Sequence, residues 1–400
     1  MMRSMRAWFV FATGAACLAP WLFPSSAALT LLCQIGIAIV VCQSYQLLLE
    51  QGGMLSFGHA IYVGAGTFAG VQSLKLVGAG LLWLPASLVP LLGGLMGLCL
   101  AAVLGWFTTR RAGTALAMIS LGLCELVWAC ALMWPQISGG EAGLSANRVV
   151  GPRMLGLDLA SPLQMYGLIA FYALGCTALL AWFVRTPLGH LLRATRDNPE
   201  RVAFLGYDPH HVRYLAFMLA GFLAGIAGGL AALSHEIFTT DMLSAERSAS
   251  YLLFTVLGGS HLFLGPLLGG LLMVMCLSLL SAYTSAWLLY VGLLFMAVVL
   301  FMPGGLAHGL RLTLRHVGQP MPWRRRIAAL ARTLSLMWAA WGAVMLIEMG
   351  YHLPQVTVTG ATLNRFGLTW SVDSPANWAL AGLVLLSGGV FFARLRRPSP

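Results

Sequence analysis

Eleven long apolar runs leave this chain very few ways to fold. They lie at about 7–24, 27–49, 57–74, 81–107, 113–134, 161–184, 213–234, 265–283, 285–302, 333–349 and 376–393. A crossing of the hydrocarbon core takes roughly 17–25 mostly apolar residues, and in lipid every backbone N–H and C=O must be satisfied inside the protein. Hydrophobic residues make up 59% of the chain and charged residues 9%, which excludes a soluble globular fold and disorder alike. The fold class that follows is an all-α integral membrane protein, a polytopic helical bundle. A further run, 249–259, ends in Gly258-Gly259 and is too short, because eleven helical residues span only about 16 Å. It reads as one arm of a broken helix.

Basic residues set the orientation. With the N-terminus inside, Arg3, Arg6, Arg110, Arg111, Arg185, Arg193, Arg196, Arg201, Arg213, Arg311, Arg315, Arg324, Arg325, Arg326, Arg394, Arg396 and Arg397 all fall on the cytoplasmic side. Lys75, Arg148, Arg153, Arg247 and Arg365 fall outside, among Glu141, Asp158, Glu236, Asp241, Glu246 and Asp373. For Arg213 and Arg311 both to lie inside, the broken element must count as a crossing. The expectation is about ten core crossings up to Pro303, then a basic linker and a C-terminal two-helix hairpin that returns the C-terminus to the cytoplasm. Residues 1–310 form the core domain and 311–400 the linker and hairpin. The first run, preceded by Arg3 and Arg6, resembles a signal peptide but lacks a small-x-small cleavage site, and is read as a retained anchor.

The charge of +11 comes mostly from arginines flanking apolar runs, so no nucleic-acid partner is expected. All eight cysteines sit inside apolar runs with no CxxC, which reads as small core residues. There is no G-x-x-x-x-G-K-[ST], no HExxH and no G-x-S-x-G. The chain therefore reads as no enzyme, with no catalytic residues, no metal and no cofactor.

Outside the charged loop at about 186–212, four places carry candidate functional residues. Leu55-Ser56-Phe57-Gly58-His59-Ala60, followed by Gly64, Gly66 and Gly70, opens the third run with glycines suited to close packing or to a helix break. His59 there is either an interfacial histidine bonded to a backbone carbonyl or a lining residue of a path. Ser120 and Glu125 lie in the fifth run. A charge at mid-bilayer costs on the order of 3 kcal/mol, so Glu125 should face the bundle, be protonated or have a partner. It serves as a structural carboxyl, a solute contact or a proton carrier. Ser138-Gly139-Gly140-Glu141-Ala142-Gly143 forms an outer turn, and Gly258, Gly259, Gly265, Pro266, Gly269 and Gly270 mark the interrupted element.

The strongest signal is a charged loop at about 186–212, between two apolar runs. Asn198-Pro199-Glu200-Arg201 up to Gly206 reads as a short amphipathic helix that exposes Glu200 and Arg201, buries Val202 and Leu205, and stops at Gly206 and Pro209. With Gly189, Arg193, Ala194, Arg196, Asn198, Pro199, Ala203, Leu205 and Gly206, this loop resembles the coupling loop of branched-chain amino acid ABC transporter permeases. The resemblance runs over residues 28–310 and includes the 55–60 segment, residues 117–125 and the glycine-rich outer turn. Glu50 departs from it, because the family pattern has glycine there; the carboxylate either caps a helix or alters gating.

What the resemblance implies is a permease subunit of an ATP-driven importer for branched-chain amino acids or a related small polar solute such as urea, an amide or a carboxylate. It implies a bacterial inner-membrane location and four kinds of partner: a second permease subunit in a heterodimer, two cytoplasmic ATP-binding subunits, a periplasmic solute-binding protein and membrane lipid. Arg193, Arg196, Asn198, Pro199, Glu200, Arg201, Ala203 and Gly206 would then couple to the ATPases. Ser56, Gly58, His59, Ser120, Glu125, Gly258 and Gly259 are candidates for the translocation path, and Gly139, Gly140 and Gly143 for docking the binding protein. The competing expectation is a secondary transporter driven by an ion gradient, which explains the broken helices and Glu125 but leaves the loop without a role.

Overall fold

A computed structural model of the chain describes residues 13–14, 16–152, 158–259, 265–302, 304–317, 323–353, 362–365, 368–371 and 374–396. The expectations placed on Arg3, Arg6, Arg153, Pro303, Asp373 and Arg397 lie outside these residues, as do residues 318–322 of the basic linker and residues 7–12 and 15 of the first apolar run. The chain forms two compact units. One is Met1–Met275 with Ala297–Gly309, and the other is Cys276–Met296 with Leu310–Pro400.

The first unit is built from helices α1 (Ser26–Gln46), α2 (His59–Gly78), α3 (Val89–Thr108), α4 (Thr114–Met133), α5 (Pro162–Phe183), α6 (Pro187–Asp197), α7 (Pro199–Phe204), α8 (Pro209–His235), α9 (Ala245–Gly258) and α10 (Gly265–Val274). Helix α8 is its axis, and small residues explain why. Gly221, Gly225 and Gly229 recur every four residues on one face, opposite Gly93, Gly97 and Ala101 of α3. A Cβ placed on Gly93 would lie 2.7 Å from the Gly225 carbonyl oxygen, and one on Gly229 would lie 2.6 Å from Pro90 Cα. A second small face, with Gly228, meets Val63, Gly66 and Thr67 of α2 in the same way. Within lipid there is no hydrophobic drive between helices, so close backbone approach of this kind supplies the packing energy. The paired positions fix direction: 93, 97 and 105 meet 225, 221 and 217, so α3 runs antiparallel to α8, while α2 runs alongside it in the same sense.

Polar groups inside the bundle are paired across helices. Gln43 Nε2 of α1 donates to Thr177 Oγ1 of α5 at 2.8 Å. Two short strands, β1 (Leu144–Ser145) and β2 (Ile237–Phe238), pair antiparallel where the segment after α4 meets the segment after α8. All eight cysteines are free.

The second unit contains most of α11 (Trp287–Phe301), much of α12 (Gly305–Val317), α13 (Trp323–His352), the hairpin β3 (Thr362–Arg365) with β4 (Leu368–Ser371), and α14 (Pro375–Arg396). Helices α13 and α14 pack against one another through Gly342 and Gly388, where a Cβ would stand 2.5 Å from Leu385 N and 2.6 Å from Ala339 N. Glu348 of α13 accepts from Thr284 Oγ1 at 2.5 Å and from Tyr290 OH at 3.0 Å, so the carboxylate is held by hydroxyls of the 276–296 segment.

Among the described residues six helices are long and apolar enough to cross a membrane, or seven if the bent pair Trp287–Leu300 and Gly305–Arg311 is one span. This supports an all-α polytopic membrane protein but falls short of the ten core crossings expected from the sequence. Two differences have physical reasons. The 57–74 run becomes α2, whose Thr67, Gln72, Ser73 and Lys75 make it less oily than its neighbours. The 249–259 run is the second half of α9, a helix of 14 residues, or about 21 Å at 1.5 Å per residue.

Candidate functional site

Helix α1 runs on into a π-helical turn, Leu47–Gln51, and residues 52–58 are irregular before α2 begins at His59. Non-helical backbone at this position is tolerated because protein covers it: Met54, Ser56 and Gly58 are buried. A ring of side chains satisfies its polar groups. Tyr45 OH donates to the Ser56 carbonyl at 2.5 Å, Ser120 Oγ of α4 accepts from Phe57 N at 2.9 Å, and Ser248 Oγ of α9 accepts from Ala60 N at 2.8 Å. The break between α1 and α2 is therefore tied to α4 and α9 by single hydroxyls.

His59 sits at the centre of this ring and is fully buried. Its Nε2 is 2.7 Å from Ser44 Oγ, and that hydroxyl donates its one proton to Val41 O at 2.7 Å. The serine must then accept, so His59 carries its proton on Nε2. Nδ1 is left buried with no hydrogen-bond partner among the described residues. The Tyr45 and Tyr62 rings contact the imidazole edge-on at centroid distances of 5.0 and 6.2 Å. The backbone-carbonyl partner expected for His59 is corrected: the partner of its Nε2 is the Ser44 hydroxyl.

Helix α4 has two faces. Leu116, Ala117, Ser120 and Cys124 point inward, and Cys124 Sγ donates to Leu243 O at 3.2 Å. Met118, Gly122, Glu125, Leu126 and Met133 point outward. Glu125 thus does not face the interior of its own bundle. It lies on an otherwise apolar outer face and makes no hydrogen bond or ion pair among the described residues. Gly258 and Gly259 lie at the end of α9, beside the start of α10. A Cβ on Gly258 would stand 2.6 Å from Gly269 N, which is why that crossing is made of glycine. Of the seven path candidates, Ser56, Gly58, His59 and Ser120 come together, Gly258 and Gly259 sit at the α9–α10 crossing, and Glu125 turns away from both.

The charged loop folds as two short helices. Thr186 caps α6 by accepting from Gly189 N, and Asn198, in extended conformation, caps α7 by accepting from Arg201 N at 3.0 Å. Gly206, at φ +86°, ends α7, and Asp208 caps α8 by accepting from His210 N at 2.9 Å. Pro209 therefore opens the next helix as well as closing the loop. Arg193 points back to the Val184 carbonyl at 2.6 Å, Arg196 reaches Glu50, and Glu200, Arg201 and Ala203 are exposed. Val202 is buried as expected, but Leu205 is not. Phe204, Leu205 and Tyr207 are 91%, 68% and 51% exposed and make an apolar tip that the sequence reading missed. A six-residue helix buries one side only, and here that side is Val202.

At the other end, the glycine-rich turn is held in a fixed shape. Ser138 Oγ donates to Ala131 O at 2.5 Å and accepts from Gly140 N at 3.1 Å. Gly143, at φ +73°, lies against the Phe238 carbonyl where a side chain has no room. Arg148 braces the same region, donating its backbone N–H to Glu236 Oε1 at 2.9 Å and Nε to the Leu159 carbonyl at 2.9 Å.

The sequence model of the family described as branched-chain amino acid transport system, permease component, matches residues 27–303. The high-affinity branched-chain amino acid transport system permease protein LivM of Escherichia coli (strain K12) is 27% identical over 295 residues, covering 68% of this chain and 66% of the relative. LivM of Salmonella typhimurium is 26% identical over the same length and shares. The probable branched-chain amino acid transport permease protein LivH of Methanocaldococcus jannaschii is 27% identical over 243 residues, 58% of this chain and 73% of the relative. The matched region thus spans 66% of the length of the LivM relatives, just under two thirds. No solved structure matches the chain.

Proposed function

Because the chain belongs to the branched-chain amino acid transport permease family, we propose that it is the membrane-spanning subunit of an ATP-driven importer. Its solute would be a branched-chain amino acid or a related small polar molecule such as urea, an amide or a carboxylate. The chain works beside a second permease subunit, two cytoplasmic ATP-binding subunits and a periplasmic binding protein, in a bacterial inner membrane with both termini in the cytoplasm. In this reading residues 1–310 form the permease domain, and the basic linker and hairpin of 311–400 are an addition to it.

One observation carries the reading: the loop between α5 and α8 is a capped, two-helix element with an exposed apolar tip. Phe204, Leu205 and Tyr207 are costly to leave in water, and a groove on an ATPase subunit would cover them. Glu200 and Arg201 flank that tip as polar contacts, while Arg193, Arg196, Asn198, Pro199, Ala203 and Gly206 shape the element and join it to the bundle. A rigid-body shift of the loop is delivered to α8, which begins at Pro209 and packs along α2 and α3. Such a stroke would reach the α1–α2 break around Ser56, Gly58 and His59. The fixed turn of Gly139, Gly140 and Gly143 offers the binding protein a shaped surface on the opposite side. Purification of the chain with its ATP-binding subunits tests the assignment. They should elute as one complex, and Glu200→Ala/Arg201→Ala should loosen it without changing membrane insertion.

The outer face of α4 is assigned to the second permease subunit and to the solute path between the two. Glu125 would lie against a hydrogen-bond donor there, since a lipid-facing carboxylate at mid-membrane costs on the order of 3 kcal/mol. Hydrogen bonding rather than charge is what this site requires. Glu125→Gln should therefore keep most uptake, whereas Glu125→Leu should lose it, leaving a buried donor unsatisfied at about 1–3 kcal/mol. Equal and severe loss in both variants, at unchanged thermal stability, would show that a charge is needed instead.

A further inference from the structure

We infer that Glu50 and Arg196 form a latch that carries movement of the ATPase-docking loop into the α1–α2 break, an assignment that rests on the importer reading above. Arg196, near the end of α6, crosses to the π-helical turn of α1. Its Nη1 bonds the Glu50 backbone carbonyl and lies 3.3 Å from Glu50 Oε1. The contact joins residues 146 apart in sequence. It is built in, because the chain clears a bed for the arginine stem. Gly53 has φ +61°, and a Cβ there would stand 2.6 Å from Arg196 Cγ. Leu192, one turn earlier on α6, is fully buried, and its Cδ1 is 3.5 Å from the Cβ position of Gly52. Asp197 lies 3.0 Å from the same guanidinium and holds it from the loop side.

The position of the clasp gives it a mechanical role. π-helical geometry is rare and recurs at functional sites, and here a single such turn closes α1 at the break. Glu50 is the fourth residue of this one. One turn back on α1 stand Ser44 and Tyr45, the two side chains that hold His59 and the Ser56 carbonyl. Beyond them, the 56–60 segment is bound to Ser120 of α4 and Ser248 of α9. A pull on Arg196 therefore acts on Glu50, then on the turn that orients Ser44 and Tyr45, and then on the break to which α4 and α9 are attached. A partly exposed ion pair contributes little to stability, so its loss should disturb transmission far more than folding. A glycine at position 50 could offer Arg196 only its carbonyl, so the carboxylate supplies the side-chain half of the latch.

The test is a double-mutant cycle on the reconstituted importer, with wild type, Glu50→Gln, Arg196→Gln and the double variant assayed for solute moved per ATP hydrolysed. Each single variant should lower that ratio about tenfold, with the ATPase still bound and the melting temperature unchanged. The double variant should be no worse than Arg196→Gln alone, because Glu50→Gln removes only the side-chain half of a link that Arg196→Gln removes whole. Arg196→Lys, which keeps the charge, should recover part of the ratio. Unchanged ratios in the single variants, or effects that multiply in the double, would overturn the latch. The wild type run in parallel separates the two claims. Failure of the wild type to import with ATP overturns the importer reading and the latch with it, whereas wild-type import with unaltered variants overturns the latch alone.

Discussion

Replacing Phe204 and Leu205 with alanine is expected to abolish ATP-driven uptake while the permease still inserts and folds. The two side chains are 91% and 68% exposed, so they give the isolated fold almost nothing to lose. An aromatic anchor buried at the centre of an interface typically contributes about 2 kcal/mol or more, and 2 kcal/mol is roughly thirty-fold in affinity. Val202→Asp makes the useful contrast. Val202 is the one buried side chain of α7, so that change should damage the loop itself and lower the melting temperature. Titration of purified ATPase against the two permease variants, with melting curves alongside, measures both effects. Undiminished ATPase binding by the Phe204/Leu205 variant would remove the loop from the docking surface.

The second large effect is expected at the α3–α8 crossing. Gly225→Leu should prevent accumulation of folded protein, because a Cβ there already meets the Gly93 carbonyl group, with its carbon at 3.0 Å, and Gly94 Cα at 3.0 Å. Overpacking in an ordinary core costs about 1–3 kcal/mol, and here the neighbour is backbone, which cannot swing aside as a side chain does. Gly175→Ala on α5 is the matched control: nothing lies within 4 Å of that Cβ, and alanine is the better helix former. Its melting temperature should be unchanged or slightly raised. Fluorescence-detected gel filtration of solubilised membranes separates the two outcomes, and a monodisperse, wild-type-like Gly225→Leu would contradict the packing described for α8.

Those two glycines look alike in the sequence, which shows where sequence reading stops. The positions of six apolar spans, the break near residue 56, the short element ending at Gly258-Gly259 and the helix in the charged loop were all legible, because apolar length, glycine and proline report them directly. Facing was not legible. Helix α4 is apolar almost all round, so no polar stripe indicated that Ser120 and Cys124 point inward while Glu125 points outward. Leu205 was misread for a related reason: a six-residue helix is too short to show a period. His59 and Ser44 stand 15 residues apart, across a break that spacing cannot bridge. Glu50 carried a signal, its departure from the family pattern, but its partner lies at Arg196, and only the folded chain brings the two together.

The central claim is that ATP hydrolysis, delivered through the loop between α5 and α8, drives solute across this chain. Proteoliposomes containing the permease pair and its ATP-binding subunits, supplied with binding protein outside and ATP within, test it most directly when uptake of radiolabelled leucine is followed with and without ATP. Isoleucine, valine, urea and a small amide serve as further solutes. Uptake of at least one solute that depends on ATP, on the binding protein and on Phe204, and that is indifferent to collapse of the proton and sodium gradients, is the predicted result. Uptake that proceeds without ATPase subunits and stops when an ion gradient is collapsed would contradict the account and identify a secondary transporter.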